Sequence, residues 1–211
     1  MHPNTRHSVS ALTAFVITLL FCSGSIAQQS AVVPSHCKAD EFALINAKMS
    51  AIHNFPEPSG GWRKGDTVYE LRTTGKVLSI CSDSPAEPHH SVAYRFGPIG
   101  KIEMERVATA SQKFHFFDRA TSPHTGQNII FFTVGPYTYC VSEETAQGSG
   151  IGLTVLKSGR KVVDLFSGNN RGVDFETRMM EVSFSSALST VFQPFEPLKP
   201  FQTPCDPRPT K

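Results

Sequence analysis

Val92-Ala93-Tyr94-Arg95-Phe96-Gly97-Pro98-Ile99-Gly100-Lys101-Ile102-Glu103-Met104-Glu105 is the stretch that decides the fold class. Val92, Tyr94 and Phe96 alternate with Ala93 and Arg95, and Ile102 and Met104 alternate with Lys101, Glu103 and Glu105. Side chains of a strand point to alternate faces, so an apolar face against a charged one at period two is the pattern of a half-buried antiparallel pair. Gly97-Pro98-Ile99-Gly100 supplies the turn between the two runs.

The same pattern continues downstream. Lys113 to Phe117, Asn128 to Val134, Tyr137 to Glu143, Ile151 to Lys157 and Lys161 to Phe166 all fit strands, with Val173 to Phe175 and Met180 to Phe184 as shorter candidates. Val134-Gly135-Pro136-Tyr137 and Lys157-Ser158-Gly159-Arg160 have the short connections of hairpins. Ile129 to Val134 (IIFFTV) is apolar on both faces, which places it centrally. Upstream, Thr67 to Leu71 and Lys76 to Ser82 read as strands separated by a Thr-Gly turn, and Asp83 to His90 (DSPAEPHH) as a polar loop. Between Lys38 and Ile52 the apolar residues Phe42, Leu44, Ile45, Met49 and Ile52 fall nearer to helical spacing, so a short helix is expected there. It ends before the turn formers Asn54 to Gly61. The expected class is mainly β, an antiparallel β-barrel or β-sandwich with one short N-terminal helix.

The two chain ends differ from this body. Met1 to His7 is polar with Arg6, the run ALTAFVITLLF follows up to Phe21, and Ser25 and Ala27 are small. This is the form of a secretory signal cleaved after Ala27, because a membrane span needs about 20 apolar residues. A lipoprotein anchor at Cys22 is disfavoured by Phe21 before it. Gln193 to Lys211 is rich in proline, which removes backbone donors, so an extended tail rather than a sheet strand is expected. The expected organisation is residues 1–27 signal peptide, 28–65 leader and short helix, 66–192 antiparallel β domain, and 193–211 tail.

Without the signal, 184 of 211 residues remain, enough for one core, and they carry 19 basic and 18 acidic side chains once Arg6 is gone. That balance offers no general attraction for nucleic acid, and no second run is apolar enough for stable membrane insertion. Loss of Cys22 leaves Cys37, Cys81, Cys140 and Cys205, an even set that suits two disulfides in an oxidising compartment. Three pairings are possible. The expected one is Cys37–Cys205, tying the chain ends, with Cys81–Cys140 joining strand-like runs. Zinc ligands come in close pairs, and these cysteines do not, so no metal is expected.

Three places invite chemistry. Asp83, Glu87, His89 and His90 form a candidate site for a hydrolase, although adjacent His89 and His90 point to opposite sides of an extended chain. No G-x-S-x-G nucleophile elbow is present, and Gly148-Ser149-Gly150-Ile151-Gly152 leads into a strand rather than the helix N-terminus that grips phosphate. The aromatics Phe114, Phe116, Phe117, Phe131, Phe132, Tyr137 and Tyr139 line a ligand cavity or, as is commoner, pack a core. Finally, Ser158-Gly159-Arg160-Lys161 puts two cations beside a glycine at a hairpin tip, where a β-protein meets a partner's acidic cleft.

From Leu78 to Phe166 the motifs Ser79-Ile80-Cys81, Tyr94-Arg95-Phe96-Gly97, Gly100-Lys101-Ile102-Glu103 and Tyr137-Thr138-Tyr139, with the turn at Ser158 to Lys161, resemble small secreted bacterial β-proteins carrying YRFG..GKIE hairpins. More loosely, they resemble the periplasmic inhibitors of c-type lysozyme (the MliC/PliC group). Those are antiparallel barrels that plug the lysozyme cleft with a Ser-Gly-x-Lys-like loop. The resemblance implies that Ser158, Gly159 and Lys161 form the partner-binding loop, with Ser158 and Lys161 touching the cleft. This chain departs from the pattern in its length, its proline-rich tail and its single tryptophan, Trp62, far upstream of the loop. The expected function is an exported, non-enzymatic protein that binds a protein partner or a small ligand without a cofactor. One version is an inhibitor or immunity-type protein against a cell-wall-degrading enzyme. The alternatives are the hydrolase near Asp83 and His89/His90 and a structural envelope protein.

Overall fold

The computed structural model describes residues 33–56, 67–122, 125–145, 149–178, 190–196 and 203–207. The expected signal peptide and the candidate strand Met180 to Phe184 lie outside them. The described residues are mainly strand with no helix, and the sheet is barrel-like and nearly closed. In chain order the strands are β1 (Phe42–Pro56), β2 (Thr67–Ser82), β3 (Val92–Pro98), β4 (Met104–Ala108), β5 (Phe114–Ser122), β6 (Thr125–Val134), β7 (Tyr137–Thr145), β8 (Ser149–Lys157), β9 (Arg160–Phe166), β10 (Phe175–Thr177) and β11 (Phe192–Pro194). Their spatial order is β11-β5-β6-β7-β8-β9-β1-β2-β3-β4, with β10 also on β1. Every pairing between strands is antiparallel except that of β11 with β5.

Curling of the sheet is visible in who meets whom. Tyr94 on β3 lies edge-on to Phe132 on β6 at 5.1 Å and beside Tyr139 on β7 at 6.0 Å. Phe132 in turn stacks on Phe114 at 4.8 Å and on Tyr139 at 5.1 Å. These rings fill the interior with Leu44, Ile80, Ile130, Leu153 and Phe192, and no hydrophobe among them but Tyr139 is more than slightly exposed. Buried apolar surface of this kind contributes about 25 cal/mol per Å², which makes the interior the main source of stability.

The expected N-terminal helix is instead strand β1. Ile45, Ala47 and Met49 alternate into the core, but a register shift between Ala43 and Ile45 leaves Leu44 as an extra buried residue. A bulge of this kind breaks the period of two and imitates helical spacing. A second irregularity corrects the Thr-Gly turn, because β2 runs unbroken from Thr67 to Ser82. Met49 faces Lys76 while Ser50 faces Thr73, so Thr74 and Gly75 bulge out and Thr74 Oγ1 donates to the Met49 carbonyl at 2.6 Å. Strand β1 thus lies within residues 28–65, the stretch expected to be leader and short helix.

Two straps cover the outside of the barrel. The first, residues 33–41, lies on β2 and β3. His36 N donates to Ser79 Oγ at 3.0 Å, and His36 Nε2 donates to the Gly97 carbonyl at 2.9 Å. Glu41 grips Arg95, which is 2% exposed, through Nη1 at 2.5 Å and Nη2 at 2.8 Å. Arg95 Nε also donates to Glu105 at 2.7 Å. The second strap is formed by the described parts of the proline-rich tail, up to residue 196 and over 203–207, and Gln193 and Pro194 belong to strand β11 rather than staying outside the sheet. Phe192 faces Phe114 and Pro194 ends the strand, where a missing donor costs least. Beyond it, Phe195 caps Phe131 at 5.2 Å and Phe117 at 5.8 Å. The apolar outer face of Ile129 and Phe131 is thus buried under the tail.

Each strap is pinned by a disulfide. Cys37 bonds Cys81 and Cys140 bonds Cys205, so the expected pairs Cys37–Cys205 and Cys81–Cys140 are overturned. The reason is geometric. Cys81 on β2 and Cys140 on β7 are not on neighbouring strands, since β8, β9 and β1 stand between them, and each bonds the cysteine of the strap that crosses it.

Candidate functional site

Two hairpin tips stand side by side at the start of β7 and the end of β8. Tyr137 is paired with Lys157, and Lys157 with Arg160. Ser158 and Gly159 occupy the two central turn positions with φ of 51° and 83°, the left-handed pair that a type I′ turn demands. Ser158 N donates to the Pro136 carbonyl at 2.8 Å, which locks this tip to Gly135-Pro136, the tip between β6 and β7. The result is one rigid ridge rather than two loose loops. Lys157, Ser158, Arg160 and Lys161 are exposed, and Gly159 is half-buried.

The charge on this ridge is uneven. Lys161 Nζ pairs with Asp164 at 2.5 Å, both about half exposed. Lys157 lies over the Tyr137 ring at 5.5 Å, a cation–π contact that sets its direction without cancelling its charge. Arg160 faces solvent. The sequence points to Ser158, Gly159 and Lys161 as the partner-binding residues and reads Pro136 and Lys157 only as parts of hairpin connections, without a role for Lys157 or a bond from Pro136 to this tip. Residues Gly135 and Pro136 are turn formers at hairpin spacing, so that signal was present; that the two tips touch was not.

The Asp83 to His90 loop divides its histidines as the alternation rule requires. His90 is largely exposed, with Nδ1 3.8 Å from the Asp83 carboxylate. His89 is completely buried, and its Nδ1 lies 2.7 Å from Ser82 Oγ. Its carbonyl accepts from Thr190 Oγ1 at the root of the second strap. Burial lowers the His89 pKa, partly opposed by the charge of Asp83. Burial also raises that of Glu87, whose carboxylate oxygens have no hydrogen-bond partner. Ser82 and His89 have the distance of a nucleophile and base, and Ser82 was missed by the sequence reading. Both side chains are buried. With the Thr190 bond to the His89 carbonyl, the pair latches the loop to the root of the second strap.

The remaining candidates resolve into packing. Phe114, Phe132 and Tyr139 stack inside the barrel, while Phe117 and Phe131 lie outside beneath Phe195. Gly150 sits under the Phe166 ring, where an added Cβ would stand 2.2 Å from Cζ, so this glycine serves close packing. Cys37, Glu41 and Cys81 bring their donor atoms within 4.8 Å of one another, but the sulfurs are bonded together and Glu41 is held by Arg95. Neither thiolate is free to bind a metal.

No family model, curated protein or solved structure matches this chain.

Proposed function

We propose that this is an exported, non-enzymatic binding protein that presents the ridge at Gly135-Pro136 and Ser158 to Lys161 to a protein partner with an acidic cleft. A cell-wall-degrading enzyme of the lysozyme kind is the version that the sequence resemblance favours. The carrying observation is the locked pair of tips, which offers Lys157, Arg160 and Lys161, of which Lys161 pairs with Asp164. A preorganised surface loses little entropy on docking, and charge complementarity steers the encounter. The two disulfides support export, since such bonds persist in oxidising compartments. Burial of Ser82 and His89 weighs against the hydrolase.

The test is capture of envelope and culture proteins on the oxidised chain, followed by a lysis-inhibition assay on any hydrolase retained. Arg160→Ala with Lys161→Ala should weaken inhibition by about 30-fold, as loss of a central interface residue does. Unchanged inhibition by a correctly folded double variant would remove the ridge mechanism.

A further inference from the structure

Away from the ridge, Arg171 and Arg178 line one open groove of about 400 Å³ together with Phe42, Gly172, Glu176 and Thr177. That volume lies within the range of small-ligand sites, about 300–1,000 Å³. Arg171 belongs to the connection from β9 to β10, and its Nη2 donates to the Thr177 carbonyl at 2.9 Å. This fixes the guanidinium while leaving most of its N–H groups to point elsewhere. Arg178 directly follows β10, and its amide donates to the Leu44 carbonyl at 2.8 Å, so its backbone is anchored while the side chain stays exposed.

The groove lacks a partner for this charge. Among the described residues neither arginine forms an ion pair, and Glu176 is the single carboxylate in the lining. Two guanidiniums and one carboxylate leave an excess of one positive charge. Arginine binds carboxylate through parallel N–H bonds, and a monoanion matches that excess better than a phosphate dianion facing Glu176. The groove's wall also includes Phe42, 41% exposed, which offers an apolar surface beside the cations. We propose that this groove binds a small monocarboxylate whose apolar portion rests on Phe42. The site is independent of the ridge and of any protein partner bound there.

The test titrates benzoate, its neutral counterpart benzamide, and inorganic phosphate into the isotope-labelled oxidised protein at low salt, followed by amide NMR. Benzoate should shift the amides of Gly172, Thr177 and Arg178, and benzamide should leave them in place. Arg178→Gln, an exposed substitution, should weaken benzoate by about tenfold or more, the worth of a charge-assisted bond. Arg171→Gln should do the same. Equal binding of benzamide, tighter binding of phosphate, absence of shifts in the groove, or unchanged benzoate affinity in both variants would each overturn the assignment.

Discussion

Replacing Arg95 with alanine should loosen the first strap and cost the protein about 3–5 kcal/mol, the loss that follows when one member of a buried ion pair is removed. The figure belongs to the contact with Glu41. Arg95 is 2% exposed and the Glu41 side chain 16%, so both ends are withdrawn from water. Glu105, the second partner, is 45% exposed, and its bond contributes at most about 1 kcal/mol. Truncating Arg95 leaves the Glu41 carboxylate against the barrel with only the Lys38 amide to satisfy it. Arg95→Met with Glu41→Gln, which removes both charges, should recover most of the loss. Acid titration gives an independent reading. The Arg95 hydrogen bond holds the Glu41 pKa below its ordinary 4.5, so this stabilisation is complete above that pH and is lost as pH falls through the lowered value. Urea unfolding at neutral pH measures the cost, and a series from neutral pH down to about 3 measures the acid limb. The reasoning fails if Arg95→Ala unfolds within about 1 kcal/mol of the parent. It also fails if that variant keeps the parent's acid limb unchanged.

Replacing Cys140 and Cys205 together with serine opens a covalent loop of 65 residues, which the chain-entropy relation values at about 4 kcal/mol. Urea unfolding should show that loss, limited proteolysis should cut first near Phe195, and a peptide map linking Cys37 to Cys205 would refute the pairing outright. His89→Gln tests the latch. Burial depresses the His89 pKa, so the unfolded chain takes up the proton first and stability falls as pH drops below about 6.5, by at most about 1.4 kcal/mol per pH unit. The variant should flatten that stretch of the curve, and an unchanged slope counts against the latch. Ser158→Gly relieves a left-handed serine, at φ 51°, and should raise stability by up to about 1 kcal/mol, read as a higher melting temperature. A lower one would refute the turn assignment.

Much of the sheet could be read from local pattern, since β3, β5 and β7 to β9 show apolar residues on a period of two between recognisable turns and β6 shows as an apolar run buried on both faces. β1 escaped because the extra residue at Leu44 scrambled its period, and β2 looked divided because Thr74-Gly75 has the chemistry of a turn while serving as a bulge. Disulfide partners depend on which face of which strand lies beneath which strap, information no single segment carries. The same holds for Glu41, which sits in what reads as a leader yet meets Arg95 54 residues on. The hairpin at Ser158 and Gly159 was legible because its spacing is local. Its bond to Pro136 was not, because it joins two separate hairpins.

The order of the cysteines bears on how the chain matures. Cys37 bonds Cys81 and Cys140 bonds Cys205, so the two covalent loops follow one another and never interlace. Once Cys22 is cleaved away, a chain that meets an oxidant from its N-terminal end presents each remaining cysteine with its native mate as the next to arrive. Sequential pairing of this kind yields the native bonds with no rearrangement of a wrong pair.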